Sequence, residues 1–152
     1  MRLDYTNAGW TMPYRRFFRY PTDIPIEISV SEKQLSKRKQ LHNVSLGGIS
    51  FKASCCWSQD TILNIRIPFV KPPFETTGKV VWCRRQDDLF YVGVEFLQTE
   101  DTFTVRMVEQ ICLIEQYRHQ QAAQGRKLNS EEAAMEWINR YAADYPPLDA
   151  FV

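Results

Sequence analysis

The sequence predicts a mainly β chain with an α extension: a six-stranded antiparallel β-barrel followed by two C-terminal α-helices. Three observations predict it. Six short strand-rich runs lie between Ile24 and Phe96, punctuated by turn residues and with no helical pattern between them. From Phe103 onward, apolar residues recur at helical spacing. The chain has 152 residues, 44% of them hydrophobic, enough to bury a core without disulfide staples.

The elements follow in order. Ile24, Ile26, Ile28 and Val30 alternate with Pro25, Glu27 and Ser29, the period of a strand with one wet face. Pro25 puts the start of this strand at an edge or a first position. A second strand is expected over 37–44 and a third over 49–53. Between them Ser45-Leu46-Gly47-Gly48 reads as a turn in which glycine can take positive φ. Leu63, Ile65 and Ile67 mark one face of a fourth strand. Pro72-Pro73 break the extended pattern, and 74–85 with 90–96 form a hairpin around Gln86-Asp87-Asp88. In the first helix Phe103, Met107, Ile111 and Ile114 form a stripe, with Val108 and Cys112 beside it, and Gly125 suits its end. Asn129 with Glu132 has capping-box spacing and opens the second helix. Its expected stripe is Met135, Ile138 and Ala142, with Trp137 and Tyr141 alongside, and Pro146-Pro147 end it. The organisation is an N-terminal arm (1–20), a barrel (21–99) and a helical extension (100–152).

Charge is unevenly shared. Residues 1–99 carry 14 Lys and Arg against 9 Asp and Glu, and residues 100–152 carry 5 against 9. The net of +1 excludes a bulk DNA binder but hides a basic barrel half. No apolar run is long enough to span a bilayer, and no signal core opens the chain, so a cytoplasmic protein without membrane insertion is expected. Cys55, Cys56, Cys83 and Cys112 form no CxxC pair and are expected as reduced, mostly buried thiols. With only His42 and His119 to help, no metal is expected. No catalytic triad or P-loop is present, so no enzyme is expected.

Two clusters could carry recognition: Tyr14-Arg15-Arg16-Phe17-Phe18-Arg19-Tyr20 and Asn43-Val44-Ser45-Leu46-Gly47-Gly48. Arginine forks grip phosphate, read the O6/N7 edge of guanine and stack on bases. Asn43 offers an amide, Ser45 a hydroxyl, and Gly47 and Gly48 allow close backbone approach. Together they suit an anionic nucleotide. Each also has a plainer explanation, as a solvated arm and as hairpin chemistry. Trp82 is open between barrel wall and ligand stack. Lys37-Arg38-Lys39 reads as an exposed face that could steer anions.

Arg15-x-x-x-Arg19 followed by Asn43-x-Ser45-x-x-Gly48 resembles the two-part signature of the PilZ domain family, bacterial receptors for cyclic di-GMP. Val80-Val81-Trp82 and Gly93-Val94-Glu95-Phe96 resemble that family's later strands, and the resemblance runs from about Tyr14 to Leu97. It implies a PilZ-type barrel and a role for each residue. Arg15 and Arg19 would clamp phosphate and a guanine Hoogsteen edge, and Arg16 would stack on or pair with a base. Asn43 would meet the Watson–Crick edge. Ser45 and Gly48 would shape the turn and touch a phosphate, with Gly47, Trp82 and Arg85 as secondary contacts. Tyr14 stands where relatives holding a ligand dimer carry a basic residue, so one or two ligands per chain stay open. The expected function is a cyclic di-GMP receptor, without cofactor, in which the ligand orders the arm against the barrel and so signals to a downstream protein. The chain would act as a monomer or homodimer. The alternatives are a PilZ-like protein-interaction module that binds no nucleotide and, further off, a small barrel for single-stranded nucleic acid. The apolar residues Trp137, Tyr141 and Phe151 could serve a partner or simply pack within the chain.

Overall fold

Alternation closes into a barrel because the strands turn a mainly apolar face inward. The computed structural model describes residues 18–30, 36–98 and 102–141. The strands are β1 (Tyr20–Pro21), β2 (Pro25–Ser29), β3 (Lys37–Val44), β4 (Gly48–Ala53), β5 (Ile62–Ile67), β6 (Phe74–Gln86) and β7 (Leu89–Phe96). All pairings are antiparallel. β2 lies between β3 and β5, β5 pairs with β6, β6 with β7 and β7 with β4, and the β3–β4 pairing closes six strands on themselves. Closure removes the exposed edges that an open sheet would present. β1 is an extra strand laid on β3, with Tyr20 opposite Val44 and Pro21 opposite Asn43.

Ile26, Ile28, Leu41, Val44, Ile49, Phe51, Leu63, Ile65, Ile67, Val80, Val92 and Val94 fill the interior. Truncating one of these large side chains to alanine is expected to cost roughly 2–5 kcal/mol. Pro25 is the first residue of β2, where its missing N–H does no harm. The 86–89 hairpin is a two-residue turn, with Asp87 at φ 58°. The turn at 45–48 differs from expectation, because neither Gly47 nor Gly48 takes positive φ. Gly48 is required for space instead: a Cβ there would sit 2.0 Å from the Val94 carbonyl oxygen of β7.

α1 (Thr102–Ala123) and α2 (Ser130–Tyr141) follow. Gly125 adopts φ +86° just past α1. The capping box forms: the Glu132 N–H donates to Asn129 Oδ1 at 2.7 Å, and the Asn129 N–H donates to Glu132 Oε1 at 3.0 Å. The expected α1 stripe holds at Met107, Ile111 and Ile114, with Val108 and Cys112 beside it, but not at Phe103; in α2 Trp137 and Ile138 pack against the core and Met135 does not. In α1 the buried line is Thr104, Met107, Val108, Ile111 and Ile114, while Phe103 is 52% exposed. In α2 it is Ser130, Ala133, Ala134 and Trp137, while Met135 is 52% exposed. Ala133 and Ala134 are fully buried on that line, where side-chain bulk alone would not have placed them. Ala142, Pro146, Pro147 and Phe151 lie outside the described residues.

The helices are tied to the barrel by polar groups. The Thr22 hydroxyl donates to Glu115 Oε2 at 2.7 Å, and Ser130 Oγ meets both Asp23 and Glu115. Arg118 lies 3.3 Å from Glu115 and 3.7 Å from Asp23, and its Nε donates to the Leu128 carbonyl at 2.9 Å. Between the helices Glu136 accepts from Arg126 and from the Tyr117 hydroxyl, which hold its carboxyl down at about 2. The cysteines also depart from expectation: Cys56 and Cys83 are joined as a disulfide, Cα atoms 6.0 Å apart, leaving Cys55 exposed and Cys112 half-buried. The turn after β4 carries Cys56 back against β6, a meeting that sequence spacing does not reveal. Among the described residues no helix is long and apolar enough to cross a membrane.

Candidate functional site

The second sequence cluster begins on β3 and ends on β4. Leu41 and Val44 are both fully buried, which on a regular strand would be impossible, since they are three residues apart. A bulge resolves this. Leu41 pairs with Phe51 and Asn43 with Ser50, so His42 is the extra residue and both His42 and Asn43 face outward. β6 repeats the device. Val80 pairs with Val94 and Trp82 with Gly93, leaving Val81 as the extra residue. The two bulges lie on one row across four strands: Asn43 on β3, Ser50 on β4, Gly93 on β7 and Trp82 on β6.

The floor of this row is small. Gly93 bears the Trp82 indole directly, since a Cβ there would lie 2.1 Å from the ring. Ser50 is fully buried, and its hydroxyl finds no hydrogen-bond partner. The 45–48 turn bounds the row. Ser45 Oγ accepts from the Gly47 and Gly48 N–H groups, each at 3.2 Å, and the Gly47 carbonyl accepts from the Phe96 N–H at 2.9 Å. Ser45 is 7% exposed, so its hydroxyl shapes the turn.

One step along the strands runs a second row, Gln40, Lys52, Tyr91 and Arg84, with the bulged His42 beside it. The His42 ring lies on Tyr91, centroids 4.7 Å apart. Partial burial, then Lys52 and Arg19, push the His42 imidazole below its ordinary value. Arg19 is the residue just before β1, whose Tyr20 pairs with Val44 of β3. The Arg84 guanidinium covers the Trp82 ring at 4.9 Å.

Arg19, Asn43, Ser45, Gly47, Gly48 and Trp82 thus surround one outer face. Arg15 and Arg16, like Tyr14, lie outside the described residues. Arg85 is elsewhere: it pairs with Phe90 on the other side of β6, and its Nε donates to the Asp87 carbonyl at 3.2 Å. Its neighbour Arg84 shares the face of Trp82. Counting back in twos from the two-residue hairpin would have found it. Lys52 and Tyr91 had no such signal, because their place depends on the β4–β7 register.

The family model of the PilZ domain matches residues 13–113. The chain belongs to the PilZ domain family. Its PilZ barrel is similar to the Escherichia coli YcgR structure in complex with c-di-GMP, at 16% identity and TM-score 0.57 over 74% of this chain and 51% of that one. The isolated PilZ domain of YcgR with c-di-GMP gives 14% identity and TM-score 0.58, over 72% of this chain and 98% of that one. The Bacillus subtilis inhibitor of motility, MotI/DgrA, gives 17% and 0.56, over 69% and 52%. The chain spans about half the length of the YcgR and MotI chains it resembles. No curated protein matches its sequence.

Proposed function

We propose that this PilZ protein is a cyclic di-GMP receptor that does no chemistry of its own. One observation carries the reading: β1 pairs Pro21 with Asn43 and Tyr20 with Val44, so the arginine motif runs directly into the side of the second motif. Arg19 immediately precedes this pairing, which supports its sharing a site with Asn43. Arg15 and Arg19 would clamp phosphate and a guanine edge, with Arg16 on a base and Asn43 on the Watson–Crick edge. Ser45, Gly47 and Gly48 would hold the turn that faces the ligand. Trp82 would support a base. The neighbours' complexes with c-di-GMP support the same ligand.

The relay would run through the arm. Thr22 and Asp23 follow β1 at once and hold Glu115, Arg118 and Ser130 of the helices. A ligand that closes the arm would therefore act on the helical pair, and a downstream protein would read that change. Cytoplasmic residence follows from the messenger. The test is isothermal calorimetry of the full chain with cyclic di-GMP. Saturable binding in the wild type, lost in Arg19→Ala with the fold intact, is the expected result. A flat isotherm for the wild type at high ligand concentration would leave a PilZ-like interaction module instead.

A further inference from the structure

We propose that the Cys56–Cys83 bond is a reversible redox switch on the nucleotide face, and that thiol–disulfide exchange at Cys56 sets how firmly the bulge that carries Trp82 is held. The inference rests on the receptor reading above and concerns residues that neither signature motif contains. Three features support it. First, the loop between β4 and β5 holds β6 on both sides of its bulge. The Asp60 N–H donates to the Val80 carbonyl at 2.8 Å, and the Val80 N–H donates to the Thr61 carbonyl at 2.9 Å. Further along β6, Cys83 is bound to Cys56, with Cα atoms 6.0 Å apart, an ordinary span for a disulfide. Between these anchors lie Val81, the extra residue, and Trp82, whose ring rests on Gly93. One anchor is backbone hydrogen bonding. The other is a covalent bond that chemistry can open.

Second, the bond can be reached. Cys56 is exposed, while Cys83 is partly buried and packs against the core, so the sulfur on the loop is the one open to attack. Cys55, Cys56, Trp57 and Lys37 line a cavity of about 370 Å³ at this end of the barrel. Exposed disulfides are the labile ones. Reduction runs in two steps. The thiolate of a low-molecular-weight dithiol attacks Cys56 Sγ, which forms a mixed disulfide and releases Cys83 as a thiolate that takes up a proton. The reagent's second thiol then loses its proton and attacks the mixed disulfide, which releases Cys56 and leaves the reagent as a disulfide. The pair gains the electrons and protons that the dithiol loses, and a low-molecular-weight disulfide reverses the exchange. Third, the loop keeps other holds when the bond opens. The Trp57 ring meets the buried Phe51 ring edge-on, centroids 6.3 Å apart, and the Thr61 hydroxyl donates to the Ser58 carbonyl at 2.6 Å. Opening the bond therefore frees the Cys83 side of the bulge without unfolding the barrel. The receptor reading also puts the chain where thiols prevail, a setting in which a disulfide is usually transient and redox-sensing.

The test uses the full wild-type chain, oxidised with a low-molecular-weight disulfide or reduced with a dithiol, together with Cys83→Ser and Cys55→Ser. In denaturant a thiol-reactive dye should count two thiols in the oxidised chain, Cys55 and Cys112, and all four cysteines in the reduced one. The reduced chain is expected to bind cyclic di-GMP at least about fivefold more weakly by calorimetry, the low end of an ordinary coupling between sites. Cys83→Ser should bind at the reduced value and ignore the dithiol, while Cys55→Ser should respond as the wild type does. The wild-type comparison needs no substitution, so it decides even where Cys83→Ser fails to fold. Amide hydrogen exchange at Val81, Trp82 and Cys83, read without ligand, should rise on reduction. Equal affinity in the two forms would overturn the switch and leave the receptor reading standing. A chain that binds nothing in either form would overturn the receptor reading and the switch with it. An oxidised chain that still counts four thiols would overturn the bond itself.

Discussion

The two outer sides of the barrel belong to one sheet, yet they differ in register and in how their charges are arranged. On the β2–β5–β6 side the strands pair in unbroken register, and Arg66 lies 3.3 Å from both Glu27 and Glu75, so charge is balanced in place. On the β3–β4–β7–β6 side two bulges interrupt the ladder on one row, the floor narrows to Ser50 and Gly93, and Arg19, Lys52 and Arg84 gather around His42, Tyr91 and Trp82. An open groove is present on the regular side, lined by Glu27, Asn64, Arg66 and Thr77. Broken register turns consecutive residues outward together, and this is how His42 and Asn43 come to share a face.

The sharpest way to break the comparison is to remove one cation from each face. Arg19→Ala should weaken cyclic di-GMP binding by about 100-fold, the scale of charge-assisted contacts to a phosphate. Arg66→Ala should leave binding unchanged and move stability by less than about 1 kcal/mol, as for an exposed ion pair. Equal losses in calorimetry would show that net charge, not the site, attracts the ligand.

A smaller effect separates the two small residues of the bulged side. Gly48→Ala drives a methyl onto the backbone oxygen of Val94, so β4 must move, and a loss of roughly 1–3 kcal/mol is expected in denaturant unfolding. Gly93→Ala meets the Trp82 ring, which can swing outward. Its stability loss should be the smaller of the two, with ligand affinity falling more than stability. If Gly93→Ala binds normally, Trp82 does not support a base.

The relay is tested by Arg118→Ala. Losing its bonds to Glu115, Asp23 and the Leu128 carbonyl should cost roughly 1–3 kcal/mol, while affinity for the nucleotide stays within a factor of two. Hydrogen exchange in α1 should then no longer respond to ligand. An unchanged response would remove the helices from the relay.

The smallest effect is a pH dependence. The folded chain holds the His42 imidazole below 6.5, so the unfolded chain takes up its proton first. Stability from this group is therefore full above about pH 6.5 and declines as the pH falls from there toward the lower folded value. His42→Gln should flatten that part of the stability–pH curve. A curve identical to the wild type would mean that burial, with Lys52 and Arg19 beside it, does not hold the His42 imidazole down.

Much was legible in the chain alone. Period-two alternation determined the barrel strands, because each must bury one face and wet the other. The Asn129–Glu132 spacing determined where α2 begins, and Gly125 where α1 ends, because both are local backbone chemistry. The order and spacing of the two motifs determined the family. What only the tertiary structure decided depends on register between distant segments. The bulges at His42 and Val81 align Asn43 with Trp82. The β4–β7 pairing brings Lys52 to Tyr91. The reason Gly48 must be glycine is a carbonyl forty-six positions away, in Val94. Each expected helical stripe lost one member to exposure, Phe103 in α1 and Met135 in α2, because packing against the rest of the chain selects the side of a helix that is buried. Local sequence carries a strand's inner and outer sides. It does not carry which outer residues of four different strands will share one row, since that is set by hydrogen-bond pairing across the closed barrel.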